Sequence, residues 1–220
     1  YSSALYTEAT YGKKAYFDHV EDWRQEIMDA DLKCSVQDAT FLSEDFADYR
    51  AAVYSQGPYM FHIMRMTWGD EQFFPYLKQM ARDLAGREIV SRDIQRSAEK
   101  TLGGDMSWFF DQWLRGVGMP EYTFTYDVRQ TEDGMYLVEG TVDQRILVGD
   151  ERHEVEGQSF VAVVPVTVEV KGGEIFQKKV VLEGPSTRFV FKVPEKPKSV
   201  EFNKYGEALA WDVIETKQGV

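Results

Sequence analysis

A chain of 220 residues can bury one large core or two small ones, and 43% hydrophobic with 28% charged residues is an ordinary globular balance. The formal charge of −12, with no Lys/Arg stripe to offset it, argues against a binder of nucleic-acid backbones. Cys34 is the sole cysteine, which excludes an internal disulfide and a Cys-based zinc cluster. No run reaches the roughly 18 apolar residues that a membrane span needs. No signal-peptide pattern precedes the first helix, and the opening on Tyr1 rather than Met reads as a processed chain or a piece of a longer one.

The first half carries a helical period. A helical stretch over Ser3–Thr10 is broken by Gly12, after which Tyr16, Val20, Trp23 and Ile27 recur on one helical face. The following stretch, LKCSVQDATFLSED, has weak periodicity, and loops of that length in compact domains are often functional. Val53–Arg65, VYSQGPYMFHIMR, sets a tyrosine and a Gly-Pro pair ahead of an apolar helical run. Phe73, Leu77, Met80 and Leu84 make the next stripe, in which Pro75, lacking an N–H, predicts an irregular first turn. Ser91 is placed as the N-cap of a helix to Leu102 that Gly103-Gly104 ends. Asp105 then caps a helix with Phe109/Trp113 and Phe110/Leu114 pairs, closed by Gly116 and Gly118.

From Met119-Pro120 the period changes to two. Tyr122, Phe124 and Tyr126 alternate with polar neighbours, as do Tyr136 and Val138; Phe160 to Val168 is rich in β-branched residues. Val180 to Leu182, Phe189 to Phe191, Val200 to Phe202 and Leu209 to Trp211 read as further strands. Asp133-Gly134 and Gly172-Gly173 supply hairpin turns. Pro165 within a strand predicts an edge or a bulge. These signals predict an α+β, multidomain chain: a helical bundle over residues 1–118, then an Ig-like antiparallel β-sandwich over 119–220.

The inventory of chemistry is thin. His19, His62 and His153 form no His-x-x-x-His pair, and no Walker loop, Gly-x-Ser-x-Gly elbow or dinucleotide fingerprint occurs. His62, between Phe61 and Ile63, reads better as a satisfied core histidine than as a ligand. His19 and His153 stand in acidic contexts that predict exposure.

Tyr54-Ser-Gln-Gly57-Pro-Tyr-Met-Phe-His62-Ile-Met-Arg65, then Gly69-Asp70-Glu71-Gln-Phe73-Phe74, resembles the zinc aminopeptidases of the M1 (gluzincin) family. That family shows Tyr-x-x-Gly, a His-Met-Leu-Arg-like run and Gly-Asp/Glu-x-x-Phe in this order. Phe109-Phe110-Asp111-Gln112-Trp113 and Gly118-Met119-Pro120 are similar to its Phe-Phe-Asp-x-Trp and Gly-x-Pro signatures. Leu5-Tyr-Thr-Glu-Ala and Tyr11-Gly12-Lys-Lys-Ala15-Tyr16 resemble the helix after its third zinc ligand. The order of the pieces is specific, where any one alone is weak. The resemblance is strong over 49–120 and looser elsewhere.

The resemblance implies the C-terminal helical part of a thermolysin-like catalytic domain with the family's β-sandwich behind it. It implies that the Tyr54 hydroxyl faces the carbonyl oxygen of the scissile peptide, where charge develops when water attacks. A donor aimed there can lower a barrier by about 2.7–4 kcal/mol. A phenol suits the task because it stays protonated at neutral pH, with an ordinary pKa of about 10. Read without the flanking match, Tyr54 is an aromatic anchoring a loop onto the helix. Tyr49, earlier in the same stretch, is a weaker candidate.

The family's His-Glu-x-x-His, the third zinc ligand and the Gly-x-Met-Glu-Asn motif are not in this sequence and in family order precede Tyr1. The expectation is therefore a piece of a peptide-trimming zinc aminopeptidase, with zinc and peptide held through the missing half. Alone it is expected to bind no zinc and to be inactive, with apolar helical surface through which it self-associates. Two other readings stay open: a non-catalytic relative that keeps the scaffold for protein interaction, and a bundle and sandwich matching the family by accident.

Overall fold

The computed structural model describes residues 1–30, 34–41, 47–149 and 151–217, and its fold is α+β. The chain divides into two compact units, Tyr1–Val117 and Gly118–Val220. No helix among the described residues is long and apolar enough to cross a membrane.

The first unit is helical. Helix α1 (Ser2–Tyr11) gives way at Gly12, whose φ of 88° needs a residue without Cβ, to α2 (Lys13–Asp29). Tyr16, Val20, Trp23 and Ile27 are the buried residues of α2, the four that the sequence period places on one face. Parts of the weakly periodic stretch, residues 32–33 and 42–45, lie outside the described residues; between them runs a 3-10 turn, Asp38–Phe41. Helix α3 (Ala47–Arg50) continues through a π-helical turn (Ala51–Gln56) into α4 (Gly57–Trp68), and α5 spans Asp70–Leu84. Then come α6 (Ser91–Leu102), α7 (Ser107–Phe110) and a second π-helical turn, Asp111–Arg115.

Several local expectations need correcting. Helix α5 runs unbroken through Pro75, its first turn closed by the Gln72 and Phe73 N–H groups, which donate to the Gly69 carbonyl. Its buried residues are Phe73 and Tyr76, while Leu77, Met80 and Leu84 are only partly covered. Ser91 is the first helical residue of α6 rather than its cap. The capping is done by the Asp93 carboxylate, which accepts from the Val90 N–H at 3.0 Å. Asp105 does act ahead of α7, accepting from the Ser107 hydroxyl and from the Ser107 N–H at 2.8 Å, and these bonds hold its carboxyl below the usual range. His19 is partly covered, its ring edge-on to Trp23 at 4.8 Å.

In the second unit β1 (Met119–Gln130) and β2 (Tyr136–Val148) form a long antiparallel hairpin around Asp133-Gly134, in register from Met119↔Leu147 to Gln130↔Tyr136. A short β3 (His153–Glu154) and β6 (Ser186–Val193) also pair with β2. A second sheet orders β5 (Ile175–Leu182), β4 (Ala162–Val170) and β7 (Pro197–Phe202), with β4 and β5 joined through Gly172-Gly173. Inward residues of both sheets, among them Tyr122, Phe124, Val138, Val164, Val166, Phe189 and Phe202, share one core.

Three strand expectations also change. The arrangement is not wholly antiparallel, because β8 (Val213–Lys217) runs parallel to β1. Residues 203–212 carry the chain from the second sheet to the first, so no tight turn imposes an antiparallel return. Leu209 to Trp211 is not a strand: Leu209 and Ala210 are buried in this connection, and their apolar character mimics a strand pattern. Pro165 lies in the central strand β4, opposite Lys179. The pairing with β7 begins only at Val166, so the residue without a donor lies just outside one of the two ladders.

Candidate functional site

The Tyr54 segment is built on continuous helix, not on a loop. In the π-helical turn Ala51–Gln56 the Gly57 N–H donates to the Ala52 carbonyl five residues back, the wider turn that often marks functional positions in helices. Ala51, Ala52, Ser55 and Gln56 face inward, whereas Tyr54 is 64% exposed. Its ring is not packed down as an anchor; the contact it makes is edge-on to Tyr49, with centroids 6.2 Å apart. The phenol therefore stands at the surface on a backbone fixed from beneath.

What fixes it is partly polar. The buried Ser55 hydroxyl donates to the Glu26 carboxylate on α2, tying the turn to the neighbouring helix. Gln56 is 8% exposed, and its Oε1 has no hydrogen-bond partner among the described residues. A cleft of about 260 Å³ beside the turn is lined by Glu26, Asp29, Ala30, Ala47, Arg50 and Ala51. Sequence reading missed Glu26 and Gln56, since a lone carboxylate in a charged helix and a Gln before Gly-Pro carry no pattern of their own.

Behind α4 the His62 and Arg65 side chains lock four helices together. The Tyr16 hydroxyl and His62 Nδ1 are 2.8 Å apart, and the Tyr1 and Tyr16 hydroxyls 3.1 Å apart. Arg65, 4% exposed, donates two bonds to Glu8 on α1 at 2.6 and 3.0 Å. Two more go to Asp70 on α5 at 2.6 and 3.0 Å, and its guanidinium lies over the Tyr16 and Phe74 rings. Burial works against the guanidinium charge, but the bonds to Asp70 and Glu8 outweigh it and raise the Arg65 pKa. The same bond from Arg65 lowers the pKa of Asp70, and burial pushes the Tyr16 phenol up. Thus the residues from Tyr54 to Arg65 that read as one motif divide by role: Tyr54 projects outward while His62 and Arg65 hold the helix in place.

Zinc does not fit the described residues. Among the described residues no group of three or more His, Cys, Asp or Glu side chains is placed to hold a metal ion. His62 is engaged with Tyr16, His19 rests on Trp23, and His153, in the second unit, lies 3.0 Å from Glu151.

No family model matches the chain. Over 70 residues, 32% of this chain, the sequence is 34% identical to Aminopeptidase N of Lactococcus lactis subsp. lactis, of which the match spans 8%. Among solved structures the fold is similar to that of Legionella pneumophila aminopeptidase A, determined in complex with aspartic acid. The TM-score is 0.62 at 14% identity, over 99% of this chain and 23% of that one. The structural likeness shows the fold, and the sequence match marks a peptidase-related chain. The 220 residues thus span under a quarter of that structural relative's length.

Proposed function

We propose that the chain forms part of a zinc-dependent aminopeptidase of the M1 type, which removes N-terminal residues from peptides. In this reading the first unit is the C-terminal part of a thermolysin-like catalytic domain and the second is the Ig-like β-sandwich behind it. The observation that carries the proposal is the placement of Tyr54: an exposed phenol on a π-helical turn, three residues ahead of Gly57, within the ordered motifs that resemble the family.

The work assigned to this chain's own residues is electrostatic. When water adds to a peptide carbonyl, the oxygen gains charge, and the Tyr54 hydroxyl donates a hydrogen bond to it. A donor fixed before the reaction stabilises that charge without having to reorganise. Ser55, bonded to Glu26, and the buried Arg65 keep the turn and α4 from shifting as the charge develops. Zinc, water activation and most of the peptide contacts belong to residues outside these 220. The chain alone is inactive, and exposed aromatics such as Tyr6 and Tyr11, 69% and 73% accessible, give it surface through which to self-associate.

Zinc content and aminopeptidase activity, measured in parallel on the 220-residue chain and on the full-length gene product, test this reading. Zinc and peptide hydrolysis in the longer protein, with neither in the chain alone, support it. A longer protein that binds no zinc and cleaves nothing would replace it with a non-catalytic interaction scaffold.

A further inference from the structure

A polar cleft of about 530 Å³ opens between α6 and the segment from α7 into the second π-helical turn, lined by Arg92, Gln95, Arg96, Glu99, Ser107, Asp111 and Arg115. Its floor is an organised network. The Gln95 amide nitrogen donates to Glu99 at 2.8 Å and to Ser107 at 3.3 Å, and its oxygen accepts from Arg115 at 2.6 Å. Arg115 also donates to Asp111 at 2.6 Å, and Glu99 accepts from the Met106 N–H at 3.3 Å. Both acidic side chains of the cleft are therefore already engaged. The Ser107 oxygen accepts from Gln95, and its O–H is bonded to the Asp105 carboxylate.

Arg92 and Arg96 are different. They stand one helical turn apart on α6, both are exposed, and neither has an ion pair among the described residues. In a chain of charge −12, two uncommitted guanidiniums beside a third held rigidly by Asp111 and Gln95 form a local excess of positive donors. Guanidinium forks match tetrahedral oxyanions through paired N–H bonds.

We propose that this cleft is a binding site for a small phosphate-type polyanion, held by Arg92 and Arg96 with Arg115 as the fixed side of the cradle. The site is separate from the Tyr54 segment and does not rest on the peptidase reading. The cleft's polar lining excludes an apolar ligand. Its volume lies within the range of small-molecule sites.

The test is a calorimetric and amide-NMR titration of the 220-residue protein with pyrophosphate at low ionic strength, with inorganic phosphate and an oligoglutamate peptide as parallel probes. Saturable pyrophosphate binding is expected, with shifts confined to α6 and α7, weakening steeply with salt. The double variant Arg92→Gln/Arg96→Gln, both on exposed positions, is expected to bind about tenfold or more weakly at an unchanged melting temperature. Absence of saturation, or binding that survives the double variant, overturns the proposal. Oligoglutamate binding without pyrophosphate binding overturns it too, and makes the cleft a peptide-carboxylate site.

Discussion

The Tyr16 hydroxyl meets His62 Nδ1 at 2.8 Å in a region where both side chains are withdrawn from water, at 1% and 0% exposure. A helix that arrives early in the chain is thereby bonded to the one that follows Tyr54, and the same hydroxyl extends the chain of bonds to Tyr1. Removing one partner of a buried hydrogen bond leaves the other to bear its desolvation cost. Tyr16→Phe is expected to lower stability by about 1–3 kcal/mol. Urea unfolding should show a lower midpoint with an unchanged slope, and an unmoved midpoint would remove this bond from the account.

Arg65 makes a stronger demand. Arg65→Met strands Glu8, which is 18% exposed, and frees the half-exposed Asp70, so a loss toward the low end of about 3–5 kcal/mol is expected. Arg65→Lys keeps the charge but not the fork that serves two carboxylates, and is expected to fall between the two. The Asp70 carboxyl is held below its ordinary 3.8 by Arg65, so the folded state releases this proton more readily than the unfolded one. Its stabilisation is complete above about pH 3.8 and is lost as pH falls through the lower folded value. Stability against pH should therefore drop on the acid side in the wild type and less steeply in Arg65→Met.

Glu207 behaves in the opposite sense. It is 3% exposed, and burial raises its pKa above the ordinary 4.5, although its carboxylate accepts from the Tyr205 N–H at 3.0 Å. The folded state holds this proton more tightly than the unfolded state, so the cost of the charge appears as pH rises above about 4.5. Glu207→Gln keeps an acceptor and removes the charge. Its melting temperature is expected to exceed the wild type's at pH 7 and to converge with it below pH 4.5.

How much of this was legible in the sequence depended on how local the cause was. Tyr16, Val20, Trp23 and Ile27 repeat on one helical face, so their burial could be read directly. Tyr76 could not, because its burial comes from α5 packing with its neighbours rather than from the stripe through Leu77 and Leu84. Leu209 and Ala210 looked like a strand because a buried crossover needs apolar residues as much as a strand does. In the Tyr54 segment the motif marked the tyrosine but not the π-helical turn that exposes it. The Arg65 node was invisible, since Glu8 lies 57 positions away. The oxyanion cradle on α6 was equally silent, because spacing alone cannot tell a paired arginine from a free one.

Gly140 gives a prediction from packing alone. A Cβ there would lie 2.0 Å from the Thr125 carbonyl oxygen and 2.9 Å from Phe189 Cζ, inside the β1–β2–β6 ladder. The close neighbour is backbone, which cannot swing away as a flexible side chain could. Gly140→Ala is expected to destabilise by about 1–3 kcal/mol or more, read as a lower unfolding midpoint. Gly134→Ala is a useful contrast: its cost comes from the φ of 81°, not from a clash, since nothing lies within 4 Å of a Cβ there.

The central claim is that the exposed Tyr54 hydroxyl carries chemistry. Its most direct test is Tyr54→Phe in the full-length protein, with kcat and KM determined for an aminoacyl substrate. The account predicts a loss in kcat of about 10²–10³ with KM little changed and zinc content and melting temperature retained, as expected for a donor used in the transition state. A Tyr54→Phe enzyme with undiminished kcat would contradict it and leave Tyr54 as a surface aromatic.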